Sequence, residues 1–557
     1  MLFKSLVLDF LSGHIWEFIA YVLIILVFFP IQSILLPTIY GKMFDKIKTI
    51  SKFSDIYNWR HNFAVMNFPG ALVTLIILWV VVLGADLAKS YTESLLIPMY
   101  HAFLRKLLFE KTVHSYQNDY HDVKTGEYLT RALELTRHTR DLFQYMLSHF
   151  LPELIVSILV VGYMFIQNTM LGWVLLAGCI ICMLIQYFGN SQIFTLFIER
   201  EHYFNTVVSE NLRDSLDNLM NVFLNNEVDN EIKKNNQYES ESTKKLQYIL
   251  YRQEWLVFIT DIVLVATFAL CLLILYYLIS KKKINVTNGI VLVMILGQFL
   301  NNMLFLNNGF IYSIAHKLGI ILSSKEYLEN IFGSGTERNT TSGITKGKIE
   351  FKNVNFRYDK TQDNFIYKNL NAVFDAGGRY AIVGQSGAGK TTMMKLLVGL
   401  YTPESGSIYI DSVDIRNMSL DYLRENVNYI NQRTNLFNDT IMYNILYGNP
   451  GVTDETVISM LKKYDLLKIF DEITDGVYAN AGVNGGRLSG GMQRVVILMR
   501  GILKPGQIVV MDEPTTGLDQ NTLENVKKLI FDETKGKTLI VITHEESVKS
   551  EMIEYKV

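Results

Sequence analysis

The chain of 557 residues is 49% hydrophobic and only 19% charged, against about 25% charged in an ordinary soluble domain, which excludes a disordered, collagen-like or nucleic-acid-coating chain. Its net charge of -2, from 52 basic and 54 acidic residues, supplies no polycation for a phosphate backbone, so no nucleic-acid partner is expected. Three cysteines, Cys179, Cys182 and Cys271, all lie inside apolar runs; with no second pair and no nearby His they read as packing residues, not as a disulfide framework or a metal site.

Charge is missing from particular stretches. Phe18 to Tyr40 and Asn62 to Ala85 contain no Asp, Glu, Lys or Arg, and each is long enough to cross the roughly 30 Å hydrocarbon core as a helix. The charge-free run from Leu154 to Ile198 is about twice that length and is broken by Gln167-Asn168-Thr169, which predicts a hairpin that crosses twice. A fifth span is expected from Trp255 to Ser280, interrupted only by Asp261, and a sixth within Ile284 to His316. Six spans return both ends of the chain to one side of the bilayer. The first apolar run is too long for a signal-peptide core and is expected to be retained. Asp86 to Asp141 and Glu199 to Glu254 are charged and poor in Gly and Pro. Each predicts a helical hairpin that carries the spans out into water, reversing around 118–125 and 218–226. The positive-inside rule does not orient this bundle, because the connection Gly41 to His61 holds Lys42, Lys46, Lys48, Lys52 and Arg60.

A charge at the bilayer centre costs at least a few kcal/mol, so ionisable groups in spans are candidate substrate contacts. Glu153 and Asp261 stand out, with His149 one turn before Glu153 and the amides Gln298, Asn301, Asn302 and Asn308 along the sixth span. Gln298 and Asn302 share a helical face, as a cavity lining requires. Acids there favour a cationic or amphipathic cargo. The competing reading gives the amides interhelical hydrogen bonds and puts His149 and Glu153 at the interface.

Beyond a polar linker, Gly333 to Gly343, short β-rich runs alternate with amphipathic helices through residues 347–557. The strand Tyr380-Ala-Ile-Val383 feeds Gly384-Gln385-Ser386-Gly387-Ala388-Gly389-Lys390-Thr391, and a helix is expected from Thr392 to Leu400. This is a phosphate-cradling loop in its strand–loop–helix context: glycines let backbone N–H groups approach the phosphates, Lys390 reaches the β and γ phosphates, and the Thr391 hydroxyl ligates Mg²⁺. A second strand, Ile508 to Asp512, stops on Asp512-Glu513, which places Asp512 to hold Mg²⁺ and Glu513 to take a proton from the attacking water. A third, Thr538 to Thr543, ends on His544, a candidate γ-phosphate contact.

At Leu488-Ser489-Gly490-Gly491 the domain resembles the nucleotide-binding domain of ABC transporters. The resemblance implies that ATP is sandwiched between two such domains, the signature helix of one reaching the γ phosphate bound to the other. It further implies that Tyr358 stacks on adenine, that Gln432 senses Mg²⁺ and the attacking water, that Asp519 belongs to the loop crossing the dimer interface, and that His544 is the switch histidine. Thr392 falls within the same ATP-binding stretch. Thr125-Gly126-Glu127 and Leu219 to Glu227 resemble the coupling regions of exporter-type members.

The implied fold is a membrane α-helical bundle of six transmembrane helices with long cytosolic extensions, then an α/β P-loop NTPase domain of ABC type. The boundaries are 1–320 for the membrane and coupling part, 321–346 for the linker and 347–557 for the nucleotide-binding domain, shortened at its C-terminal end. Four departures are visible: Met492 where the family has Gln, Gly517 where it has Ala, Val483 where it has Glu, and only residues 545–557 after His544. The implied function is ATP-driven transport by a dimer of half-transporters, either a homodimer or a heterodimer, with the N-terminus and ATPase facing the cytosol. An importer of the same fold and an ATP-gated channel are the alternatives. No import-type leader is recognised, and cargo and membrane stay open.

Overall fold

The computed structural model describes residues 2–48, 63–118, 125–310, 314, 316–323, 342–358, 364–385, 387–431 and 434–557. The chain forms two compact units, Met1–Lys111 with Val123–Ile331, and Thr112–Asp122 with Phe332–Val557.

Among the described residues six helices are long and apolar enough to cross a membrane: Ile15–Phe44, Leu72–Gln117, Ala132–Gln167, Thr169–Asp217, Val228–Ser280 and Val286–Asn308, hereafter the first to sixth spans. The expected hairpin break is real. Asn168 leaves helical geometry at φ -162°, and its side chain accepts from the Met170 N–H at 3.0 Å, capping the fourth span. The Lys281-Lys282-Lys283 connection turns through Lys282 at φ 54°. The second expected reversal is also present: helices Ser209–Asp217 and Leu219–Leu224 precede the fifth span. Most of the first, residues 119–124, lies outside the described residues.

Apolar residues at four-residue spacing, Val156, Val160 and Met164, pack against Leu171, Leu175, Cys271, Leu275, Ile295 and Phe299 to join the third, fourth, fifth and sixth spans. A second cluster, Phe10, Tyr21, Ile25, Leu96, Tyr100, Phe143 and Leu147, binds the amino-terminal helix Leu2–Gly13 to the first three spans. Large apolar side chains that stay outward, such as Ile166, Leu273 and Tyr276, form the surface that lipid covers. Three of these long helices contain a π-helical turn, at Ile31–Leu35, Met146–Phe150 and Phe204–Val208, which periodicity alone does not reveal.

The second unit holds two sheets. The antiparallel one has order β2-β1-β4-β5, from Tyr367–Phe374, Ile349–Phe356, Ser405–Ile410 and Val413–Asp414. The parallel one has order β6-β7-β8-β3-β9, from Val427–Ile430, Ile508–Asp512, Thr538–Ile542, Arg379–Val383 and Ile553–Lys556. β7 and β8 are buried at every position, which is why they read as unbroken apolar runs. Residues 545–557 supply the helix Glu546–Lys549 and the edge strand β9 beside β3.

Candidate functional site

Parallel pairing brings the chemistry-bearing residues to one edge. Asp512 lies opposite Ile542, Ile382 is also opposite Ile542, and Ile430 is opposite Met511. The carboxyl ends of β6, β7, β8 and β3 therefore line up, and the residues that follow them converge as in any open parallel sheet that binds ligands there.

The loop after β3 enters the helix Lys390–Leu397, two residues earlier than expected. Gly387 and Gly389 sit at φ +83° and +91°, and a Cβ on Gly389 would come within 2.7 Å of the Tyr367 hydroxyl, so no larger residue fits that bend. The Lys390 ammonium donates to the Gly384 and Gln385 carbonyls at 2.8 and 3.0 Å. The Thr391 hydroxyl donates to Asp512 Oδ2 at 2.7 Å. Two oxygen donors on adjoining elements suit Mg²⁺, which takes few protein ligands and fills the rest with water and phosphate. Burial holds the Asp512 carboxyl above the usual range, opposed by the Thr391 hydrogen bond.

Glu513 takes a left-handed backbone, φ 48°, and its N–H donates to Ile542 O at 2.8 Å. Thr516 donates to its Oε2 at 3.2 Å. A non-glycine residue in that conformation, pinned across the sheet edge, is a local strain that marks functional positions. His544 is exposed just past β8. The Tyr358 hydroxyl pairs with Thr392 Oγ1 at 2.8 Å, and its ring packs edge-on against Phe356 and Tyr401. The exposed ring is thus fixed beside the phosphate-loop helix. Ser386 and Gln432 lie outside the described residues.

Ser489 is exposed at the start of the helix Gly490–Ile502, and its hydroxyl accepts from the Met492 N–H at 3.3 Å. Leu488 anchors the loop in the core, and Met492 is partly buried against it. Asp519 caps the helix Gln520–Glu533 by accepting from the Asn521 and Thr522 N–H groups, and its carboxyl is held below the usual range first by the hydrogen bond of the Thr522 side chain and then by these backbone bonds. Gly517, the departure from Ala, sits at φ +80°, where a side chain would be strained. Val483 is 70% exposed. Two residues escaped the sequence reading. Gln493 donates to the Gly485 and Leu488 carbonyls, and Arg494, half-buried, has Glu513 and Asp512 in its field. Their place directly after the signature was the only signal.

In the membrane unit the polar residues separate into two clusters. Asn307 donates to Asp261 Oδ1 and Thr260 Oγ1, each at 2.6 Å; Gln186 donates to Asn307 Oδ1, and Asn190 donates to Gln186 at 2.8 Å. Asp261 therefore belongs to an interhelical network of the fourth, fifth and sixth spans. The other cluster joins the first, second, third and sixth. Lys89 pairs with Glu93 at 3.0 Å and donates to Ser148 O at 3.1 Å. The Tyr21 hydroxyl lies between Glu93 and the Leu147 carbonyl, and the Glu153 carboxyl is flanked by Lys89 and the Asn302 amide. The structure does not bring Glu153 and Asp261 into one network, and the described hydrogen bonds include neither Gln298 nor Asn301.

Comparisons with known proteins bear on the family and the fold. Residues 19–303 match the family described as ABC transporter transmembrane region, and residues 367–516 match ABC transporter. Over 198 residues, 36% of this chain and 15% of the relative, the chain is 37% identical to P-glycoprotein 14 of Caenorhabditis elegans. Over 201 residues, 36% of this chain and 24% of the relative, it is 38% identical to the heavy metal tolerance protein of Schizosaccharomyces pombe. The chain thus matches less than a quarter of the length of these curated relatives. In fold it is similar to a bacterial Atm1-family ABC exporter solved with ATP bound, at TM-score 0.77 and 21% identity, covering 97% of this chain and 93% of that one.

Proposed function

The chain belongs to the ABC transporters and is an integral membrane protein, and on that premise we propose that it is an ATP-driven exporter acting as a dimer of half-transporters. One observation carries the reading: the 2.7 Å hydrogen bond that joins Thr391 of the phosphate loop to Asp512 of β7, in a chain that also has six apolar helices of spanning length.

In this reading the loop N–H groups between Gly384 and Gly389 and the start of the helix Lys390–Leu397 receive the triphosphate. Lys390 turns from its carbonyls to the β and γ phosphates, and Tyr358 stacks on the adenine ring. Thr391 and Asp512 would hold Mg²⁺, which neutralises phosphate charge when bound. Glu513 accepts the proton of the attacking water, oriented with Gln432 and His544. The exposed Ser489 and its helix start face the nucleotide of a second copy, and Asp519 lies in the loop at that boundary. Closure over two ATP shifts the bundle because ATP binds the closed state more tightly than the open one. The helix Leu219–Leu224 supports a second copy as partner: Met220, Phe223 and Leu224 are exposed there in a segment outside the bilayer. ATP supply places the ABC unit, and with it the N-terminus, on the cytosolic side. We assign 1–320, 321–346 and 347–557 to membrane part, linker and nucleotide-binding domain.

The test is ATPase activity of the purified chain in sealed vesicles, with oligomeric mass and cargo movement measured together. A dimer that hydrolyses ATP and moves cargo away from the ABC side supports export. Movement toward the ABC side identifies an importer, and gradient-driven flux that persists without turnover identifies a channel.

A further inference from the structure

The Lys89–Glu93 pair is closed on itself. The two side chains are 15% and 14% exposed and 3.0 Å apart, so their charges cancel inside the bundle. Glu153 is the second carboxylate of this cluster and has no lysine of its own. The Asn302 amide beside it carries no net charge, and Glu153 Oε2 is buried without a hydrogen-bond partner. An uncompensated carboxylate between spans is costly, and the cost is relieved by a proton or by a cation.

The surroundings favour an organic cation. The His149 ring lies between Tyr145 at 5.4 Å and Phe305 at 5.7 Å, and Phe305 is 54% exposed. His149 stands four residues before Glu153 on the third span and Phe305 three residues after Asn302 on the sixth, and aromatic rings are surfaces that attract ammonium groups. An anionic molecule would be repelled by the net negative charge that an ionised Glu153 adds to the Lys89–Glu93 pair. The π-helical turn Met146–Phe150 ends one turn before Glu153 and carries His149; such turns recur at functional sites. Because the carboxylate, the amide and the rings come from the third and sixth spans, relative movement of those helices would change the grip on whatever sits there. Asp261 differs in its hydrogen bonding: Asn307 donates to it at 2.6 Å, and neither of its oxygens is among the buried atoms left without a partner.

We propose that Glu153 is the counter-charge for a cationic group, a protonated amine or quaternary ammonium, on the transported molecule, and that Asp261 is a joint between helices. The inference rests on the exporter reading and narrows it to a substrate class.

The test is binding of ethidium, a permanent organic cation, to the purified full chain in lipid nanodiscs, read by fluorescence anisotropy without nucleotide, with ATPase activity measured alongside. Glu153→Gln should weaken ethidium binding at least about tenfold. Glu153→Asp should recover most of that loss, and Asp261→Asn should stay within about twofold of wild type. An uncharged ring compound of similar size should bind wild type and Glu153→Gln alike. Ethidium binding to Glu153→Gln at wild-type affinity, or a wild-type chain that prefers neutral or anionic probes, overturns the proposal and leaves the carboxyl neutralised by a proton alone. The two readings fail separately. Ethidium binding through Glu153 in a chain without ATPase activity sinks only the exporter, whereas hydrolysis with Glu153-independent binding sinks only the substrate class.

Discussion

Two little-exposed lysines show how differently the two units treat charge. Lys390 gives its hydrogen bonds to the neutral carbonyls of Gly384 and Gln385; among the described residues no carboxylate cancels it at hydrogen-bond distance, so it remains available to an anion. Lys89 is bound to Glu93 at 3.0 Å and to a carbonyl besides, so it is cancelled, and the acid left in its neighbourhood without a pair of its own is Glu153. One unit is organised around a phosphate-seeking cation and the other around a cation-seeking carboxylate. The ligand completes the electrostatics in each, and in the apolar unit the incentive is larger because less water competes.

The sharpest way to break this comparison acts on the ABC unit alone. Glu513→Gln removes the proposed proton acceptor while keeping shape and the backbone bond to Ile542. Steady hydrolysis should fall by about 10²- to 10⁴-fold, the usual contribution of a general base, while ATP still binds and a closed dimer accumulates. Hydrolysis at the original rate would remove Glu513 from its role. Next in size is Tyr358→Ala, which takes away the ring that the Thr392 bond holds in place; base stacking is worth about 1–3 kcal/mol, so the KM for ATP should rise between about fivefold and about 160-fold. Tyr358→Phe keeps the ring and loses only the hydroxyl contact, and should sit near wild type.

A smaller effect follows from acidification. Burial holds the Asp512 carboxyl above its ordinary range, so it takes up a proton sooner than an exposed aspartate as pH falls. Protonation would remove the proposed Mg²⁺ ligand, and Mg²⁺-dependent nucleotide affinity should drop by at most about tenfold per pH unit below that point. The stability sign is opposite. A carboxyl whose folded pKa is raised binds its proton more tightly when folded, so this group stabilises the fold below its unfolded pKa and loses that contribution as pH rises through the folded one. Weakened binding should therefore appear without unfolding, and Asp512→Asn should flatten the dependence.

The two sites also differ in how far the sequence exposes them. Val383, Gly389, Lys390 and Thr391 are neighbours in the chain, and Asp512 ends an unbroken apolar strand; local spacing suffices to name them, because backbone geometry within a strand–loop–helix unit is nearly fixed. The spans were legible for a similar reason, each needing only enough apolar residues to cross lipid, and Asn168 marked the hairpin that it caps. The polar clusters were not. Glu153 and Asp261 read as equivalent acids, and separating them requires knowing that Asn307 reaches Asp261 while Lys89, already paired, and Asn302 flank Glu153. Those partners lie on other spans, and helix rotation about its own axis, further altered by π turns such as Met146–Phe150, decides who meets whom. Gln493 was missed because its role is to hold a loop through carbonyls, which carry no residue signature.

The joint at Asp261 offers the finest measurement on the membrane side of the comparison. Asn307 donates to Asp261, to Thr260 and, at 3.2 Å, to the Val257 carbonyl, so single substitutions report several lost contacts at once. A double-mutant cycle with Asp261→Asn and Asn307→Ala isolates the shared term. If lipid amplified such bonds without limit, the coupling would reach the several kcal/mol of a buried charge in hydrocarbon. Unfolded helices in a membrane also find polar partners, which brings measured interhelical bonds to about 0.6 kcal/mol on average and 1.7 at most. A coupling in that range, read from thermal unfolding in lipid, fits Asp261 as a shared helix contact. A coupling near zero, with cation affinity falling in Asp261→Asn, would return Asp261 to the cargo site and erase the distinction drawn between the two acids.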